Sequence, residues 1–124
     1  MMNLTNVVIA PFGCDEEKKK QADFVCTGKN DEKIIQQAIE KCVKEEKNVY
    51  LLNGIYRIDS FCDFGDGGPL AAMVIPNAHR EIQVLGQNNE YGLQKNYKNG
   101  VVFYVSPNAL DSIKKRECDV LRST

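Results

Sequence analysis

The chain has no apolar run near the roughly 18 to 20 residues that a membrane-spanning helix needs. Its first residues, MMNLTNVVIAPFG, lack a basic leader region, and their apolar core is too short for a signal peptide. The expectation is a cytoplasmic chain or a part of a larger assembly. Charge of one sign is missing too: 16 basic side chains face 17 acidic ones, for a net charge of -1. Such a balance gives no electrostatic pull toward nucleic acid or an anionic membrane, so neither is an expected partner. Histidine is reduced to His79, and the five cysteines (Cys14, Cys26, Cys42, Cys62, Cys118) contain no CxxC pair. An odd count without close pairs argues against a disulfide framework and against zinc. The cysteines read as reduced thiols acting as small buried hydrophobes.

What remains is an ordinary globular composition, 43% hydrophobic and 27% charged over 124 residues, enough for one domain. Val7 to Ala10 are β-prone and stop at Pro11, which predicts a short buried strand. Asp15 to Gln21 predicts two helical turns, with acids first and lysines later, as the helix dipole favours. Asp23 to Cys26 predicts a second strand, closed by Thr27-Gly28. The clearest element follows. Asn30 is positioned to cap a helix, with Asp31 and Glu32 in its first turn. Ile34, Ile35, Ala38, Ile39, Cys42 and Val43 then form one apolar stripe along it. An isolated helix of this length is marginal, so the stripe must cover something.

Val49 to Leu52 and Ile55 to Ile58 predict two strands about the turn dipeptide Asn53-Gly54. That dipeptide suits a hairpin, or a corner between strands of different sheets. Helix-then-strand order favours parallel pairing, and hence the corner. Asp59 to Pro69 is a Gly- and Asp-rich loop. Further strands are expected over Ala71 to Ile75, Glu81 to Leu85 and Gly100 to Val105, with a polar excursion between Gln87 and Asn99. A short helix over Ala109 to Lys115 and a last strand from Asp119 to Leu121 complete the reading.

Three places carry chemistry worth weighing. Asp59, Asp63 and Asp66 stand among glycines, and carboxylates on such a loop can gather around Ca²⁺, the one cofactor considered. Their spacing does not follow the EF-hand pattern, and solvated turns share this composition. His79 and Arg80 sit between Pro76 and the next strand, as a structural corner or a polar ligand contact. Asn88, Asn89, Tyr91, Asn96, Tyr97 and Tyr104 offer aromatic faces and amides, the groups that stack on and hydrogen-bond to sugars. Asp63-Phe64-Gly65 spells a kinase metal motif without its companions, and Asn3-Leu4-Thr5 is a glycosylation sequon without a secretory signal. Both are chance matches.

Taken in order, the pieces ADFVCTGKND, IIQQAI, NVYLLNGIYRI and IP…REIQVLG resemble the N-terminal start of right-handed parallel β-helix proteins. This is the pectate-lyase-like superfamily, which includes polygalacturonases and phage tailspikes. The likeness runs from about Val7 to Val105. It implies an α/β fold: a helix-capped start of a right-handed parallel β-helix with two to three coils, as a truncated segment. Residues 1–47 would supply capping strands and the amphipathic helix, and residues 48–124 the first coils. The implied role is the cap and scaffold of a carbohydrate-associated protein, polysaccharide-degrading or polysaccharide-binding. The alternative is a structural or adhesive module of a phage tail or cell-surface assembly, as a homo-oligomer or continued in a longer chain. The calcium-binding aspartates and basic residue of the lyases, and the NTD, paired-aspartate, histidine-glycine and RIK motifs of the hydrolases, are absent here. No catalytic residue carries over, and fold alone does not give function.

Overall fold

The computed structural model describes residues 5–65, 67–76, 82–87, 100–109 and 118–123. Strand β1, Asn6–Ala10, stops at Pro11 as its composition predicts. Helix α1, Glu16–Gln21, is capped by Asp15, whose Oδ1 accepts the Lys18 N–H at 3.0 Å. Strand β2 is Phe24–Val25, and helix α2 runs over Asp31–Glu45. Six strands follow: β3 Asn48–Leu51, β4 Gly54–Ile58, β5 Leu70–Ile75, β6 Val84–Gly86, β7 Val101–Val105 and β8 Cys118–Ser123. A 3-10 turn covers Pro107–Ala109; apart from Ala109, the short helix expected over 109–115 lies outside the described residues.

These strands form three small sheets, and every ladder between them is parallel. The first sheet has the order β2-β1-β3-β6, the second pairs β4 with β7, and the third pairs β5 with β8. Consecutive strands β3, β4 and β5 therefore lie in three different sheets. Each then receives, in the same order, one of β6, β7 and β8. Asn53-Gly54 is accordingly a corner between sheets. Gly54 has φ 144°, and a Cβ there would lie 2.5 Å from Pro11 Cγ, so the corner needs glycine for both conformation and space.

Helix α2 packs against strands of all three sheets. Its stripe buries Ile35, Ala38, Ile39 and Cys42 against Val7, Ile9, Val49, Tyr56, Ile58 and Met73. Each large member of that cluster contributes about 1.5 to 3 kcal/mol on burial. Tyr56 is fully buried, and its hydroxyl donates to the Leu52 carbonyl at 2.6 Å, with the Ile9 carbonyl at 3.1 Å. Burial holds its phenol un-ionised. Of the five cysteines, Cys26 and Cys42 are buried, while Cys14, Cys62 and Cys118 are partly exposed. Burial, with Asp31 nearby, pushes the Cys26 thiol up to about 12. Among the described residues, no helix is long and apolar enough to cross a membrane.

The start of α2 differs from the expected side-chain cap. Asn30 adopts the left-handed conformation (φ 52°) and its side chain makes no capping bond. Its backbone N–H instead donates to Asp59 Oδ2 at 2.6 Å. A carboxylate 29 positions away thus takes up the group at the helix start.

Candidate functional site

The first turn of α2 places two carboxylates against the backbone of β4. The Gly54 N–H bonds Gly100 O on the β7 side, so strand alternation turns the Arg57 N–H to the opposite edge. There it donates to Asp31 Oδ2 at 2.8 Å, and the Asp59 N–H donates to Glu32 Oε1 at 2.9 Å. Asp31 Oδ1 also accepts the Gly28 N–H, and Glu32 Oε2 accepts the Ser60 hydroxyl. Both acids are fully buried, and every oxygen they own is engaged. One turn further along, Gln36 takes both backbone groups of Val74 in β5 through its amide. The polar side of α2 therefore does the work of a neighbouring strand for β4 and β5.

Asp59 directly follows β4 and gathers four donors. Its oxygens accept from the Asn30 N–H, Arg57 Nε at 2.8 Å, the Ser106 hydroxyl and Asn108 Nδ2 at 3.2 Å. Burial alone would raise its pKa, but the bonds from Ser106, Asn30, Arg57 and Asn108 outweigh it. They hold the carboxyl well below the usual carboxylate range. Asp59 is 7% exposed. It thus ties the loop before α2, β4 and the turn after β7 together, whereas the exposed Asp63 accepts the Gly65 N–H in its own loop at 2.8 Å. The structure does not gather these two around a common point: among the described residues, no three His, Cys, Asp or Glu side chains are arranged to hold a metal.

Beside this network lies an open groove of about 570 Å³, within the size range of ligand clefts. Its walls carry Phe12, Ile55, Arg57 and Tyr104. Arg57 and Tyr104 are in-register partners on β4 and β7, and the guanidinium carbon lies 5.9 Å from the tyrosine ring centre. Phe12 rests on Gly28, where a Cβ would stand 3.3 Å from the ring, and Lys19 Nζ lies 5.0 Å from its centre. Cys14 also lines the groove, and burial pushes its thiol up.

Of the residues singled out in the sequence, Asp66, His79, Arg80, Asn88, Asn89, Tyr91, Asn96 and Tyr97 lie outside the described residues, as does the sequon at Asn3-Leu4. Tyr104 lies inside them and faces the groove. Phe12, Ile55 and Arg57 escaped the reading. The one available signal was β4 itself, GIYRI, where large apolar residues occur on both alternating faces. No family model, no curated protein and no solved structure matches this chain.

Proposed function

We propose that this chain is the α-helical cap and first coils of a right-handed parallel β-helix, acting as the non-catalytic scaffold of a carbohydrate-associated protein. One observation carries the reading: α2 meets strands of all three sheets, and β6, β7 and β8 repeat the order of β3, β4 and β5. Strand edges are rows of unpaired backbone groups that must be covered. Asp31, Glu32 and Gln36 serve that purpose on β4 and β5, and β1 does so on β3. Residues 1–47 are then the cap and 48–124 the coils. The association with polysaccharide rests on the resemblance, as does the choice of compartment, cytoplasm or a phage or surface assembly. The scaffold itself requires no cofactor, and the Asp63 loop is where Ca²⁺ would be sought.

Incubation with pectins and bacterial polysaccharides tests the functional half. The expected result is retention on at least one polysaccharide in affinity electrophoresis, with no new reducing ends. Robust cleavage would overturn the non-catalytic role, and failure to bind any polysaccharide would remove the carbohydrate association.

A second reading, a structural or adhesive assembly module, draws on a specific feature. Among the described residues, β6, β7 and β8 each pair on one side only. Their other edges would accept further strands of the same protein or of a partner. A stable trimer in sedimentation equilibrium supports that reading, and a monomer with glycan affinity supports the first.

A further inference from the structure

We propose that the groove beside β4 binds an adenine-type heterocycle as a free nucleoside, a role beyond the carbohydrate reading. The edge of β4 that faces away from β7 is covered unevenly. The Gly54 N–H donates to Gly100 O, and Ile58 O accepts the Ser106 N–H. Gly54, Tyr56 and Ile58 therefore turn their backbone groups to β7, and Ile55, Arg57 and Asp59 turn theirs the other way. On that second edge Asp31 takes the Arg57 N–H and Glu32 takes the Asp59 N–H. Among the described residues, nothing takes the N–H or the C=O of Ile55. Ile55 lines the groove together with Gly13, Gly28 and Asp31, so the open donor and acceptor border it.

The chain itself displays a group that closes such a pair. On β5 the N–H and C=O of Val74 are both met by the single carboxamide of Gln36, at 2.8 and 3.0 Å. A planar group with an acceptor next to a donor thus completes an edge residue of this protein. Adenine carries that pair, a ring nitrogen beside an exocyclic amine. The walls favour a flat ring in this place. Ile55 is 60% exposed, and the rings of Phe12 and Tyr104 are 58% and 46% exposed at the same groove. Aromatic faces hold bases by stacking. With about 570 Å³, the groove has room for a nucleoside.

Charge and edge length narrow the occupant further. Arg57 is paired with Asp59 and Lys19 with Glu16, so neither cation waits for a phosphate or carboxylate. Asn53 Oδ1, on the groove lining, is a buried acceptor without a partner among the described residues. Open acceptors beside neutralised cations favour a neutral ligand that brings N–H groups. A peptide adding as a strand needs successive edge residues, and the next donor along, the Arg57 N–H, already belongs to Asp31. One open residue fits one base.

The test titrates the full chain with adenosine and follows amide hydrogen exchange by nuclear magnetic resonance. The Ile55 amide exchanges freely at first and slows by about tenfold or more at saturation, whereas the Arg57 amide is protected throughout. The adenosine analogue with a doubly methylated amine keeps the ring but offers no N–H there, and binds about tenfold or more weakly. Ile55→Pro removes the N–H without taking a bond from the β7 ladder, and Tyr104→Ala removes a stacking wall. Each weakens adenosine binding by about tenfold or more, with circular dichroism establishing that the variant is folded. Absence of saturable adenosine binding overturns the proposal, as does an Ile55 amide already protected in the free protein. Equal affinity for the methylated analogue, or indifference to both variants, overturns it too. Tighter binding of an adenylate trinucleotide than of adenosine would make the groove a nucleic-acid surface instead. Displacement of adenosine by a neutral oligosaccharide would make it a sugar site, an outcome separate from polysaccharide retention elsewhere on the chain.

Discussion

The carboxyl of Asp59, held below the usual carboxylate range by its hydrogen-bond partners, makes the fold sensitive to acid. Four donors from three parts of the chain converge on one carboxylate, and its ionised form is what they bind. Its pKa is depressed in the folded state, so between the unfolded value near 3.9 and the lower folded one the unfolded chain binds more protons. The associated stability is complete above the unfolded pKa and is lost as pH falls through the folded one. Urea unfolding followed from pH 6 downward should show a midpoint that is flat at first and declines below about pH 4. In Asp59→Asn the midpoint should start lower and decline less steeply over the same interval. Parallel acid limbs in the two proteins would mean that other groups govern the response. Little of this was legible beforehand. The glycines around Asp59, Asp63 and Asp66 mark a loop, and only the fold turns the first of them inward against Asn30 and Ser106.

At the scale of the element, α2 combines two jobs on two faces. Its apolar stripe was readable because a period of 3.6 residues is a local property, and Ile35, Ala38, Ile39 and Cys42 are buried accordingly. The roles of Asp31 and Glu32 were not readable. Acids in a first turn satisfy the helix dipole without any tertiary partner, so nothing local announces that they reach strand backbone more than 25 positions away. The left-handed Asn30 is a similar case, since its expected side-chain bond is replaced by a distant carboxylate. Glu32→Ala would leave the Asp59 N–H and the Ser60 hydroxyl without their acceptor in a buried place. A loss of about 2 to 4 kcal/mol is expected by urea denaturation. Gln37→Ala, on the exposed side of the same helix, should change stability by less than about 0.5 kcal/mol. Equal, small effects would mean that the buried carboxylate contributes nothing as an edge cover.

For the whole molecule, the strands were legible one by one, but their partners were not. Short apolar runs such as VVIA, VYLL and VVFYV signal β structure through β-branched and aromatic residues, yet the same signal fits a hairpin at Asn53-Gly54 or a stack of parallel layers. The two arrangements differ in which residues face each other across long sequence separations. In-register pairing of β4 with β7 sets Ile55 beside Val102. Neighbouring parallel strands lie about 4.8 Å apart, within the Cα range that a disulfide tolerates. Ile55→Cys combined with Val102→Cys should therefore oxidise to an intramolecular link, found by peptide mapping between positions 55 and 102. By closing a long loop in the unfolded chain, the link should add up to about 4 kcal/mol of stability. The control pairs Ile55→Cys with Tyr104→Cys, two residues out of register, where the Cα atoms stand about 8 Å apart and a disulfide cannot close without backbone movement. Preferential linking of the first pair supports the parallel pairing on which the proposed cap role of α2 depends. Linking of the second pair instead would slide β7 along β4, separate Arg57 from Tyr104, and remove both the stack and the groove.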